Sequence, residues 1–583
     1  MSITGGFVIE VGLLRFSSHR VTAPLVVALL AYAAAAIKGR ESFLAAARVV
    51  PAFLETHATS AAVILAAAAA GIGVGYGTHA VSGADASGYI SEAVLLQRGV
   101  LSVPTPLATR VSWPAPELSF APLGFKPAQR AGEIVPTYPP GLPIVLAIAL
   151  ALAGESGMFL VVPLLGALTV LGTYWLAVRL ARPFDGGRST DRPDERARTP
   201  GAVAAALMAT SPVFLFQIVQ PMSDVPAAAL WTLALVLAVS NRPVGAGAIS
   251  GLALLTRPSL LPAAVAVAAV LTIWSDEMPK SPRASAVRLV SFGAALSAAI
   301  VVLALVQWQL YGHALASGHG TFTELFAAGN VLPNIRDYSA RLFKGEAPAI
   351  VLATASALVI AVARRGASPS APVMSSVRLT ILVALLVLLC YLPYGVFPDW
   401  SYLRFLLPIL PLVFVTTGAL VVNASARLPA VIRGPILLVA VTAACSTNVL
   451  IASREQAFNL RDYEARYRTA GRYLAAALPK DAVIVTSQES GSAHYYTGRP
   501  ILRWDLLAAD LDTAVDELIK RGQHPVLLVE DWEEPELRRR FPASAVAKID
   551  WPARARFGTT TRVRLLDPQD RGRPVGWTTD RLP

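Results

Sequence analysis

Residues 291–310 read SFGAALSAAIVVLALVQWQL, a stretch of 20 positions without a charged side chain. A helix of this length extends for about 30 Å, which matches the hydrocarbon core of a bilayer. The apolar run that contains it extends from 286 to 311. Such a run is typical of a transmembrane helix, so it predicts a membrane protein.

Ten further apolar runs make a total of eleven candidate spans. A shorter run at 21–37 is either an additional span or an interfacial helix. The fold class predicted is therefore mainly α, a polytopic membrane protein with about 11 transmembrane helices, or 12 if 21–37 also spans. Residues 142–153 are too few to span and predict a juxtamembrane or re-entrant helix. The eleven runs are 61–79, 157–181, 200–219, 223–240, 244–257, 258–274, 286–311, 346–364, 376–396, 402–423 and 432–452, and Arg257-Pro258 separates the fifth from the sixth.

The composition excludes an ordinary soluble protein. Of the 583 residues, 54% are hydrophobic and 15% are charged, whereas a soluble domain has about 25% charged residues. A disordered chain and a coiled coil are excluded for the same reason. The two cysteines, Cys390 and Cys445, lie in apolar runs and predict buried side chains, because no Cys–His zinc pattern accompanies them.

The net charge of +12 could by itself indicate a nucleic-acid or lipid partner. The 61–79 span is taken to run from the inside to the outside of the membrane. The loops on the cytoplasmic side then contain 15 Lys/Arg and 6 Asp/Glu, whereas those on the outer side contain 9 Lys/Arg and 10 Asp/Glu. This asymmetry follows the positive-inside rule. The charge therefore reports topology, and no nucleic-acid partner is predicted.

Three regions follow from these patterns. Residues 1–60 form an N-terminal segment, 61–452 a transmembrane catalytic domain with outer loops at 80–156 and 312–345, and 453–583 a soluble domain on the outer side. Apolar strands at 482–486 and 525–530 alternate there with helices at 466–478, 513–521 and 535–541. Such alternation predicts a small α/β domain with a parallel sheet.

Carboxylates at span ends are the first candidate site residues. Asp85 follows the first span, and Tyr89 and Glu92 lie on the same face of a helix that begins there. Asp224 begins a later span, closely followed by Pro226. Ionisable residues at such places are functional hypotheses by default. The alternative is that Asp85 and Asp224 only cap their helices.

Two arginines in apolar surroundings are the second set of candidates. Arg257 and Arg404 could contact a phosphate through bidentate hydrogen bonds, or could reach towards lipid headgroups instead. The outer loop 312–345 adds His313 and His319 without metal-ligand spacing. We expect these histidines to be solvated loop residues.

These stretches resemble, in order and predicted outer placement, the GT-C superfamily of integral-membrane glycosyltransferases. The resemblance covers about 60–583 and is greatest to the bacterial branch related to aminoarabinose–lipid A transferases and protein O-mannosyltransferases. The matching stretches are Asp85-x3-Tyr89-x3-Ala93-x5-Gly99, Thr137-Tyr-Pro-Pro-Gly-Leu-Pro143, Ser211-Pro-Val-Phe with Pro221-Met-Ser-Asp224-Val-Pro226, Leu255-Thr-Arg-Pro258, Tyr402-Leu-Arg404-Phe-Leu-Leu-Pro408, Leu478-Pro-Lys-Asp-Ala-Val-Ile-Val-Thr486 and Tyr495-Tyr-Thr-Gly-Arg499.

The resemblance implies transfer of a hexosyl or pentosyl group from a polyprenyl-phosphate donor on the periplasmic face of a bacterial inner membrane. It implies that Asp85 and Asp224 are catalytic. Asp85 takes the place of an acidic residue that acts as general base or orients the acceptor, and Asp224 that of a second acidic residue. Arg257 and Arg404 correspond to lipid-phosphate contacts, and we expect Tyr89, Glu92 and Tyr138 to bind substrate. Many relatives have two adjacent acidic residues in the first loop, but Ala86 follows Asp85 here. No cofactor is therefore predicted, and a divalent metal is not indicated.

The acceptor could be a lipid, a polysaccharide or a protein. Two other classes of protein remain as alternatives. A transporter or flippase for lipid-linked substrates would show two related halves with broken helices in matching places, and no such symmetry is visible. A non-catalytic scaffold would tolerate replacement of Asp85, Asp224 or Arg404.

Overall fold

The computed structural model describes residues 8–11, 14–17, 40–181, 197–273, 281–320, 322–362 and 371–572. The run 21–37 lies outside these residues, so its predicted span or interfacial helix stays a prediction. The central parts of three predicted cytoplasmic loops also lie outside, at 182–196, 274–280 and 363–370.

Each of the eleven apolar runs is largely helical in the described chain. The helices up to residue 311 are α1 Arg40–Gly75, α2 Asp85–Gln97, α3 Gly141–Leu180, α4 Arg198–Thr210, α5 Pro212–Ile218, α6 Asp224–Val239, α7 Pro243–Thr256, α8 Ala263–Ile273 and α9 Pro282–Tyr311. Those that follow are α10 Val331–Gly345, α11 Ala347–Val362, α12 Ala371–Tyr391, the 3₁₀ helix Trp400–Ile409, α13 Leu410–Ser425 and α14 Ala430–Arg454.

Judged by length and composition, fewer described helices can cross a membrane than the eleven predicted. Among the described residues, 6 helices are long and apolar enough to cross a membrane, or up to 8 if each of two bent pairs forms one span. Helices α6 and α7 have 16 and 14 residues, so they extend for only about 24 and 21 Å. The multi-pass architecture is therefore confirmed, whereas the count of eleven is not.

Several of these helices are broken where the sequence places proline, glycine or a polar residue. Helix α3 loses helical geometry at Ala153 and Gly154, which agrees with the separate short helix predicted at 142–153. Helices α4 and α5 meet at 59° at Ser211, and the 328–345 and 347–362 helices meet at 88° at Glu346. The Ser211 hydroxyl donates to Glu346 Oε1 at 2.5 Å, so the two bends are joined.

The membrane core is built by α3, α4, α6 and α13 around large buried side chains such as Tyr174, Phe214 and Phe414. Glycine permits close contact between helices there. A Cβ at Gly418 would lie 2.5 Å from the carbonyl oxygen of Pro200, and one at Gly201 would lie 2.9 Å from the Tyr174 ring. Such close packing fixes the helix ends relative to one another.

The region after α14 forms a mixed α/β unit. Its helices are α15 Leu460–Ala477, α16 Ser490–Thr497, α17 Leu511–Lys520 and α18 Glu534–Arg540. Five described strands precede this unit in the chain: β1 Val8–Val11, β2 Leu14–Ser17, β3 Val103–Pro104, β4 Phe125–Pro127 and β5 Glu133–Pro136. The strands of the unit itself are β6 Ala482–Thr486, β7 Ile501–Arg503, β8 His524–Glu530, β9 Ala555–Phe557 and β10 Val563–Leu566.

The five-stranded sheet has the order β7-β6-β8-β10-β9. Strands β7, β6 and β8 are parallel, as predicted, but β10 pairs antiparallel with both β8 and β9. The prediction of a parallel sheet is therefore wrong at one edge, where the pairing is antiparallel. The short strands β9 and β10 follow each other directly as a hairpin, which gives antiparallel pairing.

The first outer loop packs directly on this α/β unit. Trp113 and Phe120 of the loop lie in the same buried cluster as Trp504 and Val515. The Leu123 amide also donates to the Ser490 hydroxyl at 3.1 Å. The loop that follows Asp85 is therefore held between the membrane helices and the C-terminal unit.

Candidate active site

Asp85 is the first residue of α2 and has both carboxylate oxygens engaged. The Tyr138 hydroxyl donates to Oδ1 at 2.6 Å, and Arg404 Nη2 lies 2.8 Å from Oδ2. The N-cap position belongs to Ala84, and no side-chain capping bond is present. The alternative that Asp85 only caps its helix is therefore not supported by its contacts.

Asp224 begins α6 in a similar way, with Ser223 at the N-cap and no side-chain capping bond. Arg257 Nη1 donates to Asp224 Oδ1 at 2.5 Å, and Arg404 Nη1 lies 3.9 Å from Oδ2. The four side chains thus alternate in charge in the order Asp85, Arg404, Asp224, Arg257. We call this set the four-charge network.

Neither arginine reaches outwards to solvent or lipid. The side chains of Arg257 and Arg404 are 14% and 13% exposed. The Arg257 guanidinium lies 5.3 Å from the centroid of the Phe405 ring, and that of Arg404 lies 4.9 Å from the centroid of Tyr402. Aromatic faces attract cations, so the rings and the carboxylates together keep both arginines inside the protein.

The members of the network lie at helix ends and breaks because the local sequence ends the helices there. Arg257 follows the last residue of α7 with non-helical dihedrals of φ −149° and ψ 85°, and Pro258 prevents the helix from continuing. Gly141, at the start of α3, packs against this break so closely that a Cβ would lie 2.4 Å from the Thr256 amide nitrogen. The contact holds the segment containing Tyr138 beside Arg257.

Two tyrosines connect the network to the first outer loop. The Tyr89 hydroxyl donates to Ser223 Oγ at 2.7 Å, and the Tyr89 and Tyr138 rings lie 4.4 Å apart between centroids. The ring of His319 meets Tyr138 edge-on at 4.9 Å. The 312–320 part of the later outer loop therefore packs against Tyr138.

Burial and neighbouring charges act in opposite directions on Asp85. Burial by itself raises the pKa of the Asp85 carboxyl. The Arg404 guanidinium and the Tyr138 hydroxyl together lower this pKa by more than burial raises it, so the net shift is downwards. The same contact with Asp85, added to burial, raises the pKa of Tyr138 well above its usual value. Asp85 is thus ionised and Tyr138 is a neutral donor.

Glu92 is in a different environment. It lies one turn beyond Tyr89 and is 1% exposed. Among the described residues its Oε2 has no hydrogen-bond partner. Burial raises the pKa of this carboxyl well above its ordinary value. Glu92 is therefore near the network along α2 without being part of it.

The structure thus brings together six of the seven predicted site residues, namely Asp85, Asp224, Tyr89, Tyr138, Arg257 and Arg404. Sequence reasoning missed Ser223, Tyr391, Tyr402 and Phe405, which contact them. It named His319 only as a solvated loop residue, although the His319 ring packs against Tyr138. Ser223 and Phe405 are sequence neighbours of predicted residues, which could have indicated them. Tyr391 and His319 lie in distant segments, so no local signal could have done so.

No group of three or more His, Cys, Asp or Glu in the described part of the chain is placed to hold a metal ion. The carboxylates of the network are each paired with an arginine instead. That a divalent metal is possible but not indicated stays a prediction.

Several solved structures are similar to this chain. The structure of ArnT from Cupriavidus metallidurans bound to undecaprenyl phosphate is 12% identical, with a TM-score of 0.51 over 86% of this chain and 97% of that chain. The apo structure of the same protein gives 12% identity, a TM-score of 0.52 and the same two coverages. An Archaeoglobus fulgidus oligosaccharyltransferase tethered with an acceptor peptide is 12% identical over 83% of this chain and 70% of that chain, with a TM-score of 0.48.

No protein-family model matches the chain, and no curated protein sequence does. The likeness to the two ArnT structures extends over nearly all of their length. It shows that the chain has the same fold, so the predicted GT-C resemblance is confirmed at the level of the fold.

Proposed function

We propose that the chain is a membrane glycosyltransferase that moves a sugar from a polyprenyl-phosphate donor to a cell-envelope acceptor. The observation that carries this proposal is the four-charge network, because it combines a reachable carboxylate with two buried guanidinium groups. A fold shared with a protein that binds undecaprenyl phosphate supports a lipid phosphate as the donor's leaving group. The sugar is a hexose or a pentose.

The reaction assigned to the network is an inverting displacement at the anomeric carbon. An acceptor hydroxyl oxygen forms a bond to that carbon while the bond from carbon to phosphate oxygen breaks, and the electron pair leaves with the phosphate. The hydroxyl proton passes to Asp85, which is the general base. Arg404 and Arg257 stabilise the negative charge that develops on the phosphate.

The remaining predicted residues have supporting roles in this proposal. Asp224 holds Arg257 directly at 2.5 Å and limits the position of Arg404. Tyr138 orients Asp85, and Tyr89 links α2 to the start of α6 through Ser223. Glu92, buried and without a partner for one oxygen among the described residues, is proposed to contact the bound sugar.

The site is proposed to face the periplasm of a bacterial inner membrane. Its members lie at the ends of helices that the loop charges place on the outer side. A lipid donor enters from the bilayer, so a site at the level of the helix ends meets both the lipid and a soluble acceptor. The acceptor is a lipid, a polysaccharide or a protein.

The test is a deletion strain complemented with the wild-type gene or with Asp85→Asn, followed by mass spectrometry of envelope lipids and glycans. We expect deletion to leave an unmodified acceptor, and Asp85→Asn to lower transfer by a factor of about 10² to 10⁴. A matched control is Asp399→Asn, because Asp399 is an exposed carboxylate that accepts from the Ser401 amide at 2.7 Å.

Two results would contradict the proposal. If Asp85→Asn restores the modified acceptor as fully as the wild type, then Asp85 is not the base. If deletion changes only the location of a lipid-linked sugar and leaves every acceptor modified, then the protein is a transporter.

A further inference from the structure

We infer that Arg404 restrains Asp85 in the donor-free protein, and that the donor's phosphate draws Arg404 away from it. Donor binding therefore frees the base before an acceptor can be deprotonated. This inference rests on the proposed function, since it assigns a phosphate to the same site and adds an order of events.

The first support is that Arg404 has hydrogen-bonding capacity left over. A guanidinium has five N–H donors, but among the described residues only the Asp85 carboxylate places an oxygen within 3 Å of Arg404, at Nη2. Nη1 meets the Met222 sulfur at 3.5 Å and Asp224 Oδ2 at 3.9 Å. Nε is buried and has no hydrogen-bond partner among the described residues. Unused donors in a buried guanidinium suit a phosphate, which offers several strong acceptor oxygens.

The second support is that the other partner of Asp85 is fixed in place. The Tyr138 ring packs on Gly88 so closely that a Cβ there would lie 2.1 Å from it. It also packs against Tyr89 and His319. Of the two groups on Asp85, Arg404 is therefore the one that can leave, while Tyr138 continues to orient the carboxylate.

The third support is the charge balance. The charges of the two carboxylates and the two guanidinium groups of the network sum to zero. A bound phosphate therefore adds a negative charge for which the network holds no further cation. Arg257 can contact the phosphate only while it also compensates the charge of the buried Asp224 at 2.5 Å, so it adds no free positive charge. The phosphate and Asp85 must therefore compete for Arg404.

The same balance describes the end of the reaction. When Asp85 has taken the acceptor proton it is neutral and no longer attracts Arg404. The phosphate has meanwhile gained the electron pair of the broken bond and attracts Arg404 more strongly. Release of the lipid phosphate and loss of the proton from Asp85 then restore the resting pair.

The test measures binding of undecaprenyl phosphate to the full chain in lipid nanodiscs. Because Asp85 competes for Arg404, we expect Asp85→Asn to tighten binding at least about tenfold, which is within the range of coupling between close charge pairs. Asp85→Ser serves as a second neutral variant if the first fails to fold. Undecaprenol, which lacks the phosphate, should bind all variants alike.

Two comparisons make the test specific. Adding Asp85→Asn to Arg404→Gln should not tighten binding of undecaprenyl phosphate, because the guanidinium for which Asp85 and the phosphate compete is absent. The control Asp399→Asn removes a carboxylate outside the network and should leave binding unchanged. A gain that persists without Arg404 would overturn the inference.

The outcomes separate this inference from the proposed function. If the wild type binds undecaprenyl phosphate but neutral variants at Asp85 bind it no more tightly, the competition is disproved and the proposed transferase stands. If neither the wild type nor any variant binds it, the proposed donor class is wrong and the inference fails with it.

Discussion

At the scale of single residues, Asp224 and Arg257 form a deeply buried pair and the shortest ion pair of the network. Their side chains are 2% and 14% exposed. Taking both charges out of water is costly, and the pair is stabilising only while both partners are present. Such a pair is expected where function requires a guanidinium in an apolar region, because the carboxylate compensates its charge.

Replacing one partner should therefore destabilise the protein more than replacing both. We expect Arg257→Leu to lower the free energy of unfolding by about 3–5 kcal/mol, since it leaves Asp224 without its close partner. The double variant Arg257→Leu/Asp224→Leu should regain most of that loss. Thermal unfolding in nanodiscs measures both, and additive losses would show that the pair is not coupled. Neither variant should transfer sugar.

At the scale of elements, the position of Asp85 depends on how α2 packs against the segment before α3. Gly88 lies one turn after Asp85 and faces the Tyr138 ring. The opposite wall is the backbone of Gly124, at φ +88°, where a Cβ would lie 2.5 Å from the Gly88 Cα. Three segments can approach so closely only because two of them have no side chain there.

The change Gly88→Ala should push Tyr138 away from Asp85. Its Cβ would lie 2.1 Å from the ring, and such overpacking costs about 1–3 kcal/mol. We expect lower stability together with a loss of transfer at least as large as in Tyr138→Phe, which keeps the ring and removes the donor. The control is Gly71→Ala in α1, where a Cβ meets nothing within 4 Å. Equal transfer by the two alanine variants would contradict this packing.

At the scale of the whole molecule, the C-terminal unit holds the connector between α1 and α2. The Val81 amide donates to the Tyr496 hydroxyl at 3.1 Å. Arg468 Nη1 donates to the His79 carbonyl at 3.3 Å, and Arg461 Nη1 to that of Gly75 at 3.1 Å. The connector ends at Asp85, so these contacts position the residues that precede Asp85.

Removing one of these contacts should loosen the connector. In Tyr496→Phe the buried Val81 amide loses its acceptor, which costs about 1–3 kcal/mol. We expect faster hydrogen–deuterium exchange in a peptide covering 78–90, with slower transfer. The control is Tyr495→Phe, because the hydroxyl of Tyr495 makes no hydrogen bond to the described residues. Unchanged exchange in Tyr496→Phe would show that the connector is rigid without this contact.

The C-terminal unit should also respond to pH through a buried acidic group. Burial raises the pKa of Glu533 from 4.5 to about 7, although the amides of Gln488 and Glu530 donate to its carboxylate and oppose the shift. Because the folded pKa lies above the unfolded one, ionisation disfavours the folded state. The contribution of Glu533 to stability is therefore greatest below about pH 4.5 and decreases as the pH rises to about 7.

The measurement is the unfolding temperature between pH 4.5 and 8. It should fall with rising pH in the wild type and fall less in Glu533→Gln. The control is Glu117→Gln, which removes an exposed carboxylate of the first outer loop. A wild-type slope that survives in Glu533→Gln would assign the effect to another group.

The sequence could indicate most of the candidate site because an ionisable residue in an apolar setting is visible without a structure. Asp85, Asp224, Arg257 and Arg404 were found in this way. It could not separate Glu92 from them, since Glu92 shares a helix face with Asp85 but lies one turn too far along α2 to join the network. It could not assign His319 or Tyr391 to the site, because their contacts depend on where distant segments return.

The sequence by itself determined that the chain is helical and crosses a membrane, because long apolar runs have no other stable state in lipid. It also indicated two of the helix breaks, since Pro258 and the Ala153-Gly154 step act locally, but not the bends at Ser211 and Glu346. Only the tertiary structure decided which carboxylate pairs with which arginine, and that Tyr138 shares Asp85 with Arg404. Pairing depends on distances of a few ångströms between the ends of separate helices, and those distances are set by packing rather than by any local pattern.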